Sequence, residues 1–516
     1  MQQSRAAFDR ATLAFLVVLF VVTAARIGAL FYNPLGLYFD EAQYWNWSRA
    51  FDWGYFTKPP LIAWVIGATT ALAGTDAEWA IRLGAPIAHF VAATALFVLG
   101  RLMYGSWAGF WAGLGYLMLP GVFFSSNLIS TDALLLPLWS LALLAMWRLM
   151  ATRSWGWAVA LGVFVGIGVL AKYAMLYFFV CTAFAAWTAP PVREALKQGR
   201  GLVASLIALV MVTPNIVWNI NNGFATARHT ADNARLDAAE LFNLDELFEF
   251  IGGQAGVLGP LIFLALLGVG WRALRRANGL STEDKFLIAY ILPPFLFVSL
   301  IAFISRANAN WAAVAYPAAL LWVTGSLFAS VNGRRFLAAA TAVNIALGVA
   351  VAVVAFDPVI SNRFKGVRTA RAWDETAREI ALRAVAQPGE PPFTAVMVDD
   401  RATYFELSYY WRHAREAGAA LPPLRMWVLH GEAQSSAEAT DPMRVEEGGR
   451  VLVVHLRQDY VPFVAGDFTA FRTVEHLTVP LGGGYNREMD ISVGEGFAPA
   501  PRDAEFNARF RGRYDD

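Results

Sequence analysis

Apolar positions gather into long unbroken runs over the first two thirds of the chain and into short, interrupted ones over the last third. The long runs occupy residues 12–32, 82–100, 107–124, 132–150, 157–171, 174–189, 202–218, 254–271, 286–304, 310–330 and 336–356. Each approaches the roughly 20 apolar residues that carry a helix across a hydrocarbon core, so the pattern predicts eleven membrane helices. The stretches 107–124 and 157–189 are short enough to be broken or re-entrant segments instead. The first run lacks a small-residue cleavage site and is expected to stay as a helix rather than leave as a leader.

Beyond Phe356 the pattern changes, with charge rising and apolar runs shortening. Strand-like alternation at Thr394–Val398, Arg425–Leu429 and Val451–Leu456 is interleaved with helix-like Ala370–Val385 and Thr403–Arg415. The division expected is a membrane domain over 1–356 and a small α/β domain over 357–516, with the Gly/Ser/Ala-rich stretch 431–447 as a flexible loop. Between the first two runs, 33–81 is too long for a simple connector. Its stretches Asp40–Phe51 and Leu61–Ala73 are compatible with helices lying along the interface.

Composition agrees with an integral membrane protein. Of 516 residues, 57% are hydrophobic and 16% charged, against about 25% charged in soluble domains. Aromatics make up 14%, as interfacial belts require. A net charge of +1 leaves no footprint for nucleic acid. The lone Cys181 can form no internal disulfide. Basic clusters fall on alternate loops: Arg5 and Arg10; Arg101; Arg148 and Arg153; Arg193, Lys197 and Arg200; Arg272, Arg275, Arg276 and Lys285; Arg334 and Arg335. Positive residues stay inside, so the N-terminus is expected in the cytoplasm. The loop 33–81, the turns at 125–131, 171–173 and 305–309, the loop 219–253 and the tail are expected outside.

The outer loops hold the candidate chemistry. Asp40 and Glu41 start a helix, where acids cap backbone N–H groups. Alternatively, one deprotonates an attacking hydroxyl or amine while the other orients a loop. Tyr44 stands beside them in Asp40-Glu41-Ala42-Gln43-Tyr44-Trp45. Lys58 precedes Pro59-Pro60, whose stiffness aims it, either at phospholipid headgroups or at a phosphate leaving group. Asp132, in Ser130-Thr131-Asp132, reads as a helix N-cap. Lys172 separates two apolar runs and needs a cavity or a partner. Arg228, His229 and Arg306 lie in outside loops, where a cation against the positive-inside trend suits a bound anion. No GxSxG, P-loop, dinucleotide fingerprint or zinc spacing supports another chemistry.

The ordered series of these motifs resembles the GT-C membrane glycosyltransferases. It runs from Asp40-Glu41-x-x-Tyr44-Trp45 and Gly54-Tyr55-Phe56-Thr57-Lys58-Pro59-Pro60-Leu61 through Ser130-Thr131-Asp132 and Gly168-Val169-Leu170-Ala171-Lys172-Tyr173. It continues with Pro214-Asn215-Ile216-Val217-Trp218-Asn219, Gly252–Pro260 and Asn308-Ala309-Asn310-Trp311 before Tyr316-Pro317, covering about residues 10–357. The nearest branch holds lipid A aminoarabinose transferases and galacturonosyltransferases, with protein O-mannosyltransferases further off. The resemblance implies a polytopic α-helical fold of about 11–13 membrane helices with a small extracytoplasmic α/β domain. It also implies an inverting transfer from a polyprenyl-phosphate sugar to a lipid A, glycan or protein acceptor at the outer face of the bacterial inner membrane. By position, Asp40 would be the base and Lys58 a ligand of the donor phosphate, with Asp132 and Lys172 lining the same cavity. Thr57 stands where aminoarabinose transferases carry a glutamate implicated in metal binding, so no bound metal or other cofactor is expected. A transporter or flippase of lipid-linked sugars is the alternative, but it should show inverted repeats and interrupted helices in two halves, and no internal repeat is visible.

Overall fold

All eleven apolar runs fold as helix. The structure is a computed structural model describing residues 9–226, 242–276, 279–385, 389–431 and 433–511, to which every structural statement refers. Among the described residues seven helices are long and apolar enough to cross a membrane: Arg10–Leu30, Glu78–Tyr104, Thr131–Thr152, Arg200–Asn221, Thr282–Ile304, Ala309–Phe328 and Val331–Phe356. Two bent pairs, Tyr173–Thr188 with Pro190–Leu196 and Leu244–Leu258 with Pro260–Arg275, raise that number to nine. The chain is a multi-pass membrane protein. The remaining runs give shorter helices, Ser106–Leu117 and Trp155–Ala171; the latter's 17 residues reach about 25 Å. Ser106–Leu117 stops three residues before Pro120, which holds Leu119 extended.

The two bends, of 118° and 114°, both fall at a proline that opens the second helix. At Gly259 the backbone takes φ +85°, and a Cβ there would lie 1.8 Å from Asn344 Oδ1. Asn344 in turn donates to the Leu258 carbonyl at 3.1 Å, capping the interrupted helix. Only glycine fits.

Small residues bring two other helices close. A Cβ on Gly162 would lie 2.5 Å from the Ala204 carbonyl, and one on Gly166 3.0 Å from Met211 Cβ. This small-xxx-small face lets Trp155–Ala171 lie against Arg200–Asn221. Tyr173, two residues after the first helix ends, is thereby brought to the last third of the second, where it meets Asn215 and Asn219.

The chain divides into two compact units: residues 1–32 with 51–352, and residues 33–50 with 353–516. The second unit holds a five-stranded sheet of β1 (Ala395–Val398), β2 (Leu424–Met426), β3 (Arg450–His455), β4 (Phe468–Gly482) and β5 (Tyr485–Phe497) in the order β2-β1-β3-β5-β4. β1 runs parallel to β2 and β3, while β5 is antiparallel to β3 and β4. The first three strands and the helices Trp373–Ala384 and Arg401–Tyr410 match the alternation read from sequence. The long β4–β5 hairpin does not, because most β4 side chains are exposed and polar. Its turn, Gly482-Gly483-Gly484, has φ of +85°, +62° and +80°, as a left-handed reversal requires. The stretch 431–447 is also more ordered than its composition suggests. Ser435 caps a short helix, Ser436–Thr440, by accepting the Glu438 N–H at 3.2 Å, and Glu438 returns the bond to Gln434 N at 2.9 Å.

The helix Phe39–Ser48 belongs to this second unit. Asn46 Nδ2 donates to Ser408 Oγ at 3.2 Å and Trp47 Nε1 to Ser436 Oγ at 3.1 Å. Trp45 meets Tyr409 edge-on with ring centres 5.0 Å apart.

Candidate active site

The helix Thr131–Thr152 is capped by Ser130, whose Oγ accepts the Ala133 N–H at 3.2 Å. The N-cap assignment of Asp132 is therefore corrected. With the cap supplied two residues earlier, its carboxylate is left for partners across the bundle. One oxygen takes Lys172 Nζ at 2.7 Å and the other Asn310 Nδ2 at 2.8 Å. Lys172 ends the helix Trp155–Ala171 in an extended conformation, φ −161° and ψ 135°, before the 3-10 turn Tyr173–Leu176. The Lys172 and Asp132 side chains are 25% and 17% exposed, so the pair is partly withdrawn from water. Such a pair adds little net stability, but it holds a cation in one direction.

Lys58 sits half-buried on a loop that is clamped at several points. Tyr55 N–H donates to the Lys58 carbonyl at 3.2 Å, closing a turn. Asp52 accepts the Trp218 indole N–H at 2.7 Å, the Trp53 carbonyl accepts Asn215 Nδ2 at 2.7 Å, and the Tyr55 carbonyl accepts Thr226 Oγ1 at 2.7 Å. Gly54 permits this approach, since a Cβ there would come within 2.4 Å of the Trp218 ring. Burial pushes the Tyr55 hydroxyl up to about 12, so it stays protonated, and it accepts the Asp52 N–H at 3.2 Å. Thr57 is buried beside Lys58 and brings a hydroxyl, not a carboxylate, to the loop. Arg306 lies exposed in the turn that leads to the 3-10 segment carrying Asn310. Arg228 and His229 lie outside the described residues.

In the second unit, Asp40 and Glu41 occupy the first turn of Phe39–Ser48. Glu41 is buried, and its carboxylate accepts the Tyr38 N–H at 3.0 Å. That bond reaches back over the helix start, as a residue at the third helical position does. Asp40 is half-buried and Tyr44 buried. The two acids thus have different local geometry, as their offset of about 100° around a helix requires.

The structure joins Asp132, Lys172 and Asn310 directly, and it links the Lys58 loop with Asn215 and Trp218. The Asn215 connection carried no role in the sequence reading. Its signal was Asn215 and Asn219, four residues apart and so on one face of an otherwise apolar helix, where buried amides need partners.

The fold is shared with solved structures of ArnT. The chain matches ArnT from Cupriavidus metallidurans in the apo state with a TM-score of 0.57 at 16% identity, covering 95% of this chain and 98% of that one. It matches ArnT from the same organism bound to undecaprenyl phosphate with a TM-score of 0.58 at 15% identity, covering 95% and 99%. At these identities the likeness is one of fold. By sequence, residues 57–218 match the family described as dolichyl-phosphate-mannose-protein mannosyltransferase. The lipid A galacturonosyltransferase RgtD of Rhizobium johnstonii is 38% identical over 314 residues, 61% of this chain, and the chain spans 65% of that relative's length. The resemblance carried by the motif series is thus found independently in sequence and in fold.

Proposed function

We propose that this protein is a membrane glycosyltransferase that moves a sugar from a polyprenyl-phosphate donor to lipid A at the outer face of the bacterial inner membrane. The N-terminus is cytoplasmic and residues 357–516 form the extracytoplasmic domain. The observation that carries the reading is Lys172, held by Asp132 in an extended break between two membrane helices of a fold shared with an enzyme solved with undecaprenyl phosphate. The name of the 38% identical relative directs the choice of acceptor to lipid A and of sugar to galacturonic acid.

In this reading Asp40 takes the proton of the acceptor hydroxyl. The acceptor oxygen attacks the anomeric carbon from the face opposite the phosphate, and the C–O bond to phosphate breaks with its electron pair leaving on the polyprenyl phosphate. Lys58 and Lys172 stabilise that developing charge, so the leaving group needs no proton. This distinguishes the reaction from hydrolysis by a carboxylic acid pair. Asp132 and Asn310 orient Lys172, Glu41 fixes the helix start that carries Asp40, and Tyr44 and Arg306 are each proposed to contact donor or acceptor.

Lys58→Ala is expected to raise the donor KM and to slow transfer by about 10²-fold or more, measured with purified protein and a synthetic polyprenyl-phosphate sugar. Unchanged donor dependence would return Lys58 to lipid contact. The functional assignment is tested by mass spectrometry of envelope glycolipids from a deletion strain. Restoration of a sugar-sized mass on lipid A by the wild-type gene is the result expected; a deletion that leaves every glycolipid mass in place would overturn it.

A further inference from the structure

We infer that Asn215 is a positioning residue that fixes the Lys58 loop and the Lys172 break relative to each other. This rests on the transferase reading above. Asn215 is buried at 1% exposure, and both ends of its amide are used. The Nδ2 end donates to the Trp53 carbonyl at 2.7 Å, on the loop whose turn closes at Lys58. The Oδ1 end accepts the Tyr173 hydroxyl at 2.9 Å, on the residue directly after Lys172. Asn219, one turn further along, donates to the same Tyr173 oxygen at 3.0 Å and to the Asn215 carbonyl at 3.0 Å. One planar amide therefore ties the backbone of the Lys58 loop to the side chain of the residue after Lys172, and its rigidity sets the spacing between the two cations. The departing polyprenyl phosphate needs that spacing, because stabilisation by fixed donors falls away when they are misplaced by about 1 Å.

The two arms separate experimentally. Asn215→Asp keeps an acceptor for Tyr173 but turns an oxygen toward the Trp53 carbonyl, so it disturbs the Lys58 side. Tyr173→Phe removes one hydroxyl and disturbs the Lys172 side. Each is expected to lower kcat/KM for the donor by about tenfold, one lost buried hydrogen bond's worth, with the acceptor KM unchanged. Asn215→Asp should be non-additive with Lys58→Ala, and Tyr173→Phe with Lys172→Ala. Full additivity in both pairs, with the lysine variants themselves impaired, overturns the inference and leaves the transferase reading standing. Lysine variants with wild-type donor kinetics overturn the inference by removing both cations from the phosphate, while the glycolipid masses of the deletion strain decide the transferase reading separately. Thermal unfolding of each variant separates a lost fold from a lost alignment, and Tyr173→Phe is conservative enough to fold if Asn215→Asp does not.

A different observation carries a second proposal. At the far ends of Thr282–Ile304 and Tyr316–Phe328 from Asn310 lies a cavity of about 330 Å³, lined by Tyr104, Arg272, Arg276, Ser281, Asp284 and Trp322 among others. Arg272, in the last turn of Pro260–Arg275, and Arg276, directly after it, both line the cavity. The one acid of the lining is occupied: Asp284 accepts the Trp322 indole at 2.8 Å, and Ser281 N–H and Oγ at 3.1 and 2.9 Å. Val269 and Ala273 add an apolar wall. We propose that this cavity binds a phosphate ester, with a phospholipid headgroup as one source and free phosphate as the other. Native mass spectrometry of the full chain with added phosphatidylglycerol should show retained lipid, weakened about tenfold or more in an Arg272→Ala/Arg276→Ala variant. Displacement by millimolar phosphate identifies the phosphate group alone as the ligand, and resistance to it identifies the lipid. Equal retention by wild type and variant, with or without phosphate, overturns the proposal.

Discussion

Asp40→Asn is expected to lower sugar transfer by about 10²–10⁴-fold, the range of a lost general base, while donor binding stays close to wild type. The substitution exchanges one oxygen for an amide nitrogen of similar size, so it removes basicity with little volume. The neighbouring acid provides the contrast. Glu41 is buried and bonded to the Tyr38 N–H, so its loss acts on the start of the helix, costing about 0.5–2 kcal/mol of local stability. Glu41→Gln, which keeps an acceptor, should be far milder than Asp40→Asn in turnover. The measurement is single-turnover transfer with a labelled polyprenyl-phosphate donor, beside equilibrium binding of undecaprenyl phosphate. Near-wild-type turnover in Asp40→Asn would remove Asp40 from the role of base.

The second large effect is expected at Lys172. Lys172→Ala deletes a cation and leaves the Asp132 carboxylate, 17% exposed, with Asn310 as its remaining partner at 2.8 Å. Transfer should fall by about 10²–10³-fold, as for removal of one preorganised donor from a developing anion. An uncompensated carboxylate would also repel the donor phosphate. Lys172→Ala combined with Asp132→Asn removes that repulsion, and donor KM should recover while kcat stays low. If instead the double variant regains wild-type kcat, the pair is a structural one and Lys172 does not serve the leaving group.

Much of this was legible because membrane-spanning segments leave few places for charge. Asp132, Lys172 and Arg306 stood out against apolar neighbours, and the ordered motifs around them implied the fold that the solved structures share. What stayed hidden were pairings between distant segments. Asn215 reads as a polar residue in an apolar helix, and nothing local says that its amide joins Trp53 to Tyr173, 162 and 42 residues away. Asp132 was misassigned for a related reason: Ser130 and Asp132 are both competent caps, and only the cross-bundle lysine decides between them. The β4–β5 hairpin escaped because its solvent-facing side chains carry charges that mask period-two alternation. The sharp bends where Pro190 and Pro260 start new helices also stayed hidden, since a hydropathy sum registers residue type and not direction.

The grouping of residues 33–50 with residues 353–516 has a consequence for biosynthesis. The helix bearing Asp40 is among the first parts of the chain to leave the ribosome, yet its anchors Ser408 and Ser436 lie 362 and 389 residues downstream of the side chains they bond. At roughly 5–20 residues per second, that partner segment follows after some tens of seconds. Until then the Asp40 helix lacks its docking surface, while the membrane helices around Lys172 can already assemble. On the roles proposed for these residues, a nascent or truncated chain would carry Lys58 and Lys172 before the Asp40 helix has docked, and would hold a lipid-linked sugar before it could transfer one.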